Sequence, residues 1–213
     1  FSIIENGVEI DYIFTQFGGL FQNSKKEFEN LNKKISKKDL LFIENRYKEL
    51  LKGTYAFEDD EDRIYINKDE FLPLNQISSG QQELLPALLI LLSVLNSKTS
   101  TTIIFEEPEA HLFPKDQQRL VELLIYILNH TQSGNRLIIT THSPYILSVL
   151  NNLIYAGKLN LHFENISAYS LSNNKAKSIL NKENNLIDAN YIDDVSNDIA
   201  NIFDKLLDEE YGE

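Results

Sequence analysis

The 213-residue sequence predicts an α/β fold, a mostly parallel sheet flanked by helices with a small helical and β-hairpin part on its N-terminal side. Three observations carry this. Two short apolar runs, Thr-Ile-Ile-Phe at 102–105 and Leu-Ile-Ile-Thr-Thr at 137–141, lack polar alternation, the pattern of strands covered on both faces. Between them Leu120, Val121, Leu123, Leu124, Ile127 and Leu128 recur at helical spacing, so strand, helix and strand follow in the order of a right-handed parallel crossover. Upstream, 54–57 and 63–66 flank an acidic turn and read as a β-hairpin.

In chain order, 2–4 and 8–17 offer short β-like pieces with turn signals at Asn6-Gly7 and Gly18-Gly19. From about 24 to 51 the pattern turns helical through Phe28, Leu31, Ile35, Leu40, Ile43, Tyr47, Leu50 and Leu51. Lys26, Lys33, Lys34 and Lys37 fall near one side of the first of these helices and read either as a solvated face or as a partner contact. The five acids at 58–62 lack the alternating ligands, central Gly and closing Glu of a calcium loop, which leaves a solvated turn. Ser78-Ser79-Gly80 then opens the apolar segment 84–95, an N-cap arrangement with Glu83 placed to support the first turn and Pro86 placed to kink it.

After the first buried strand, Pro114 marks the first position of a helix that ends near Ser133-Gly134. Ser143-Pro144 caps another helix after the second strand. An additional strand is expected over 165–171, Asn-rich polar loops without ligand spacing over 173–190, and an amphipathic closing helix over 191–207. The two parts divide at 1–75, holding strands, a helical segment and the hairpin, and 76–213, holding the motif-bearing lobe.

Composition narrows the function classes. A hydrophobic fraction of 42% supports a real core, and the longest apolar stretch is too short for a bilayer span, so no membrane role is expected. The absence of Cys excludes disulfides and thiolate chemistry and fits a cytoplasmic location. A formal charge of -12 argues against broad electrostatic adhesion to nucleic acid or anionic lipid. Met is absent even at position 1, so the chain reads as one that starts mid-protein.

The chemistry concentrates where the strands end. Glu106 and Glu107 stop the first run abruptly, at the carboxyl end where open α/β sheets place their ligands. Paired acids there suit a division in which one holds a cation and the other polarises a nucleophile, although strand ends also carry acids because they reach water. His142 ends the second strand and faces the same crevice if the tips lie side by side; a lone His there also serves as a structural hydrogen-bonding residue. Ser78, Ser79, Gly80 and Gln81 at a helix start offer a hydroxyl and unpaired amides to an anion, or act as an ordinary cap.

Taken together, Ser78-Ser79-Gly80-Gln81-Gln82, the stretch TTIIFEEPEAHLFP and the stretch TTHSPYIL resemble the C-terminal lobe of the ATP-binding-cassette ATPase head. The branch is that of AAA-family, P-loop NTPase proteins related to RecF, the chromosome-maintenance proteins and the OLD-family defence ATPases. The resemblance covers about 50–153 well and the ends weakly. It implies that Ser78, Ser79, Gly80 and Gln81 belong to a signature motif gripping the γ-phosphate held by an opposing subunit. It implies that Glu106 is the Walker B acid on Mg²⁺, Glu107 the base that orients water, 109–113 the D-loop and His142 the switch histidine. ATP, Mg²⁺, a second copy of the head and a DNA or effector partner follow from it as expectations, in DNA repair or phage defence.

Departures from the pattern are specific. The signature lacks its leading Leu and second Gly, the Walker B acid is Glu rather than Asp, and Phe113 stands where many relatives carry a second His. No G-x-x-x-x-G-K-[ST] occurs in these residues, so this chain alone is expected neither to bind ATP tightly nor to hydrolyse it. The alternative is a non-hydrolysing head-like module that supplies its signature surface to a partner ATPase. A metal-dependent nuclease on Glu106 and Glu107 would need more acids at strand ends than the sequence provides.

Overall fold

A computed structural model describes residues 12–29, 36–95, 99–130 and 134–188. The expected strand at 2–4, Lys33, Lys34 and the closing helix over 191–207 lie outside them. The class is α/β, with helices α1 (Tyr12–Glu29), α2 (Lys37–Leu51), α3 (Ser79–Val94), α4 (Pro114–His130) and α5 (Pro144–Tyr155). Strands are β1 (Thr54–Glu58), β2 (Glu61–Tyr65), β3 (Phe71–Pro73), β4 (Thr102–Glu106), β5 (Arg136–Thr140), β6 (Tyr169–Ser172), β7 (Lys175–Ser178), β8 (Leu180–Asn181) and β9 (Leu186–Ile187).

The chain forms two compact units. One comprises Phe1–Ile104, Ala110–Leu112 and Tyr126–Ile138; the other comprises Phe105–Glu109, Phe113–Ile125 and Ile139–Glu213.

In the first unit α3 is the central element, with α1 and α2 packed on it and α2 also packed on β1. Leu84, Leu85, Leu88, Leu89, Leu91 and Leu92 of α3 are buried together with Ile43, Tyr47, Leu50 and Leu51 of α2. Each such side chain contributes about 1.5–3 kcal/mol by leaving water. The helix runs through Pro86 without ending. Strands β1, β2 and β3 form an antiparallel sheet in that order, with Thr54 opposite Tyr65 and Tyr65 opposite Phe71. Its first turn is Asp59-Asp60, both at positive φ, the backbone of a two-residue hairpin whose twist matches its strands. The acids around it are not merely solvated. Arg63 reaches Glu58, Asp59 and Glu61 at 3.4, 3.0 and 3.1 Å, and Asp62 accepts from Lys25 Nζ and the Tyr55 hydroxyl at 2.8 and 2.7 Å.

Strands β4 and β5 pair with each other. The Arg136 N–H donates to Thr101 O at one end and the Glu107 N–H to Thr140 O at the other, both at 3.0 Å, so the pair runs parallel. Contrary to the expectation of strands covered on both faces, burial alternates along each, with Ile104 70% and Ile138 49% exposed. The unbroken apolar run therefore does not report two covered faces here. In the second unit α5 is capped as predicted, with Pro144 first and the Ser143 hydroxyl accepting from the Tyr145 N–H at 3.2 Å. The Asn151 side chain of α5 holds β9 through both the N–H and the carbonyl of Ile187.

Three local expectations are corrected. Residues 12–17 are helical rather than β-like, and Gly18-Gly19 lies inside α1 instead of turning the chain. Packing along α3 outweighs a helix penalty of about 1 kcal/mol per Gly. Lys26 lies in the last turn of α1 while Lys37 opens α2 behind its cap Ser36, so these two lysines do not share one helix. The described part of the 173–190 segment is not plain loop: β6 and β7 form a hairpin on Asn173-Asn174, both at positive φ, and β8 pairs with β9.

Candidate functional site

The predicted site residues fall in both units. Ser78, Ser79, Gly80 and Gln81 belong to the first; Glu106, Glu107 and His142 belong to the second.

At the start of α3, Ser78 is the N-cap. Its hydroxyl accepts from the Gln81 N–H at 3.4 Å, and Gln81 Oε1 accepts in return from the Ser78 N–H at 3.0 Å. Gln81, not Glu83, therefore completes the capping box. Gln81 Nε2 also donates to the Leu51 carbonyl at the end of α2, which fixes where α3 begins. Ser78 and Ser79 are exposed and Gly80 is buried. A Cβ on Gly80 would lie 2.9 Å from the His111 carbonyl oxygen, so glycine is needed here for contact with the 108–111 turn. The His111 ring stands 3.6 Å from Glu83. The capping box thus occupies the N–H groups of Ser78 and Gln81 and the Ser78 hydroxyl, whose own hydrogen goes to Gln81 Oε1 at 2.8 Å.

In the second unit the tips of β4 and β5 are tied together. The Glu107 N–H donates to the Thr140 carbonyl at 3.0 Å and toward its hydroxyl at 3.3 Å. Glu107 sits at φ +43°, a left-handed conformation that turns the chain out of the strand. Its Oε1 lies 3.5 Å from His142 Nε2, with the two side chains 52% and 89% exposed. Glu106 is exposed at the last position of β4. The structure thus brings Glu107 and His142 together, one acid and one imidazole at adjoining strand ends.

Beneath them lies a polar network that the strand-and-motif reading did not find. Glu109 Oε1 accepts from the Thr141 hydroxyl at 2.7 Å and from the His142 N–H at 2.8 Å. The Ser143 N–H donates to Thr141 Oγ1 at 2.9 Å, and the Ser143 hydroxyl donates to Gln117 Oε1 at 2.6 Å. Ser143 and Gln117 are buried. The available signal was the third acid of Glu-Glu-Pro-Glu followed, one strand later, by a run of hydroxyl residues around His142.

Among the described residues no group of three His, Cys, Asp or Glu side chains could hold a metal by itself. Mg²⁺ is commonly bound through one or two carboxylates with substrate phosphates and water completing the shell, and Glu106, exposed at the end of β4, could supply one such carboxylate. No helix among the described residues is long and apolar enough to cross a membrane.

Among solved structures, a chain from structural biochemistry of ATP-driven dimerization and DNA-stimulated activation of SMC ATPases is similar at a TM-score of 0.43 and 15% identity. The match covers 75% of this chain and 88% of that one. No match is found among curated proteins. The model of one family, described as the AAA ATPase domain, matches residues 4–147, more than half of the chain, and the chain belongs to that family of AAA ATPase domains.

Proposed function

We propose that this chain is part of an ATP-binding and ATP-hydrolysing head that pairs head-to-tail with a second copy around ATP. The observation that supports it is the 3.5 Å approach of His142 Nε2 to Glu107 Oε1 at the tied ends of a parallel strand pair. Phosphoryl transfer to water needs few covalent groups and much positioning, which an acid and an imidazole at one rim supply. In this reading residues 1–75 are the N-terminal part of the head, and 76–213 carry its signature, Walker B acid, D-loop and switch histidine. Such heads serve DNA repair or phage defence, and a DNA or effector partner belongs to the proposal.

The roles divide by chemistry. Glu107 orients a water molecule and accepts its proton as the oxygen attacks the γ-phosphorus and the bond to the bridging oxygen breaks. His142 donates a hydrogen bond toward the γ-phosphate oxygens. Glu106 would hold Mg²⁺, which when bound neutralises phosphate charge. Ser78, Ser79, Gly80 and Gln81 offer their helix start to the triphosphate carried by the opposing copy.

The second reading is a head-like module that lends its signature surface to a partner without turnover, and a full reading frame without a G-x-x-x-x-G-K-[ST] sequence would favour it. One experiment separates them. ATP binding and hydrolysis are measured for the 213-residue chain, for the full product of its reading frame, and for the latter with Glu107→Gln. The chain alone is expected to be inactive. The full product is expected to hydrolyse ATP, and Glu107→Gln to lower turnover by about 10²-fold or more while binding and dimerisation persist. Undiminished turnover removes Glu107 from the base role, and no turnover by any wild-type form selects the non-hydrolysing module.

A further inference from the structure

Glu109 stands out among the titratable groups that the proposed chemistry does not use. One of its oxygens accepts two hydrogen bonds, from Thr141 Oγ1 at 2.7 Å and from the His142 backbone N–H at 2.8 Å. The other, Oε2, is buried with no hydrogen-bond partner among the described residues. A carboxylate oxygen held from water without a donor is costly, and a mutation-tolerant turn would have no need of it. The cost is understandable if the acid fixes something that must not move.

What it fixes is the backbone of His142. The imidazole is 89% exposed, so no packing around the ring sets its position. Its place relative to Glu107 comes from the chain on either side. On the Glu107 side the tie is Glu107 N–H to Thr140 O; on the His142 side it is Glu109. Thr141 then passes the constraint on, because its Oγ1 accepts from the Ser143 N–H while Ser143 holds buried Gln117 on α4. The turn after β5 is thereby anchored at three successive residues, 141, 142 and 143.

We propose that Glu109 is a positioning residue: by capping the turn after β5 at Thr141 and His142 it holds the His142 imidazole within reach of Glu107. The proposal rests on the ATPase reading for its consequence in turnover, but its geometric content stands apart from that reading. A displacement of about 1 Å in a reacting group costs on the order of 10²-fold in rate.

The test compares Glu109→Ala, Glu109→Gln and Thr141→Val with Glu107→Gln as control. Glu109→Gln keeps an acceptor oxygen for both donors, Thr141→Val removes one donor, and Glu109→Ala removes the acceptor. The first readout is amide hydrogen exchange at His142 in the 213-residue chain, with neighbouring amides and the melting temperature as folding controls. Glu109→Ala is expected to speed exchange at His142 by about tenfold or more, and Glu109→Gln to leave it near wild type. The second readout is steady-state hydrolysis by the full product of the reading frame. There Glu109→Ala is expected to lower kcat by about 10–100-fold with KM for ATP within about twofold. Thr141→Val is expected to fall in between and Glu109→Gln to rescue, and Thr141→Val carries the test should Glu109→Ala not fold.

Unchanged exchange at His142 in Glu109→Ala overturns the proposal, as does a Glu109→Gln defect equal to that of Glu109→Ala, which would assign the role to charge. Normal turnover in Glu107→Gln would instead remove Glu107 from the base role, no turnover by the wild-type full product would sink the ATPase reading, and in either case the exchange result would still decide the geometry.

Discussion

Tyr47 poses at residue scale the problem that Glu109 poses at the site. Its hydroxyl is buried with no hydrogen-bond partner among the described residues, and burial, followed by the nearby Tyr55 and Asp62, pushes its pKa well above the usual phenol range. The ring itself is well used, stacked on Phe28 at a centroid distance of 5.3 Å. Nothing in the proposed chemistry needs the oxygen. Tyr47→Phe is therefore expected to stabilise the chain by about 1 kcal/mol, because it removes an uncompensated polar group and keeps the packing. Thermal denaturation checks this, and a lowered melting temperature would mean that the hydroxyl has a partner. Lys25 shows the opposite solution. It is buried, but its ammonium has Asp62 at 2.8 Å and lies over the rings of Phe21 and Phe57 at 4.5 and 4.4 Å. A lysine in a helical pattern reads as surface because long charged side chains rarely lose water. Its burial depends on a hairpin acid 37 positions away, which periodicity along one helix does not encode.

At the scale of elements, the start of α3 couples local and distant constraints. The cap arrangement was legible because it acts within four residues, although its box partner is Gln81 rather than the expected Glu83, whereas the Gly80 contact with His111 spans two motifs. Gly80→Ala would force a Cβ to within 2.9 Å of the His111 carbonyl, a backbone atom that cannot swing away. A loss of about 1–3 kcal/mol is expected, against less than about 0.5 kcal/mol for Ser79→Ala at the exposed neighbouring position. Urea denaturation of the two variants checks it, and equal stability would show that the 108–111 turn yields freely. The same contrast explains which elements were readable. The caps at Ser78 and Ser143 and the first helical residues Pro114 and Pro144 were legible because their signals are local. The N-terminal part of α1 was not, because exposed Tyr12, Ile13 and Phe14 disguise the helical period and Gly18-Gly19 imitates a turn. In the site, strand-end acids and the histidine were found by position, while Glu109 was hidden because its role appears only when the turns after β4 and β5 meet.

For the molecule as a whole, pH acts through two opposing effects. The formal charge of -12 means that mild acidification from neutral pH relieves self-repulsion and favours the compact state. The link between α2 and α4 responds in the other direction. The Asp39 carboxylate accepts from the Tyr126 hydroxyl and the Ser36 hydroxyl, and these bonds, in that order, hold its pKa below the usual 3.8. A depressed carboxylate pKa contributes stability above the unfolded value and loses it as pH falls through the folded one. Stability should thus pass through a maximum on the acid side of neutrality and drop below about pH 4. Tyr126 has the opposite sign: desolvation and then Asp39 raise its pKa above 10.0, so its contribution is present below pH 10 and is lost as pH rises further. Because one hydrogen bond underlies both limbs, Tyr126→Phe must flatten the acid limb as well as the alkaline one. Asp39→Asn should flatten the acid limb and weaken the alkaline one. Each substitution is expected to cost about 1 kcal/mol at neutral pH, the pair being partly exposed, and the double variant to cost less than the sum. Denaturation midpoints from pH 3 to 11 on the four proteins measure this coupling. An acid limb unchanged by Tyr126→Phe would mean that the pair does not join α2 to α4 in solution.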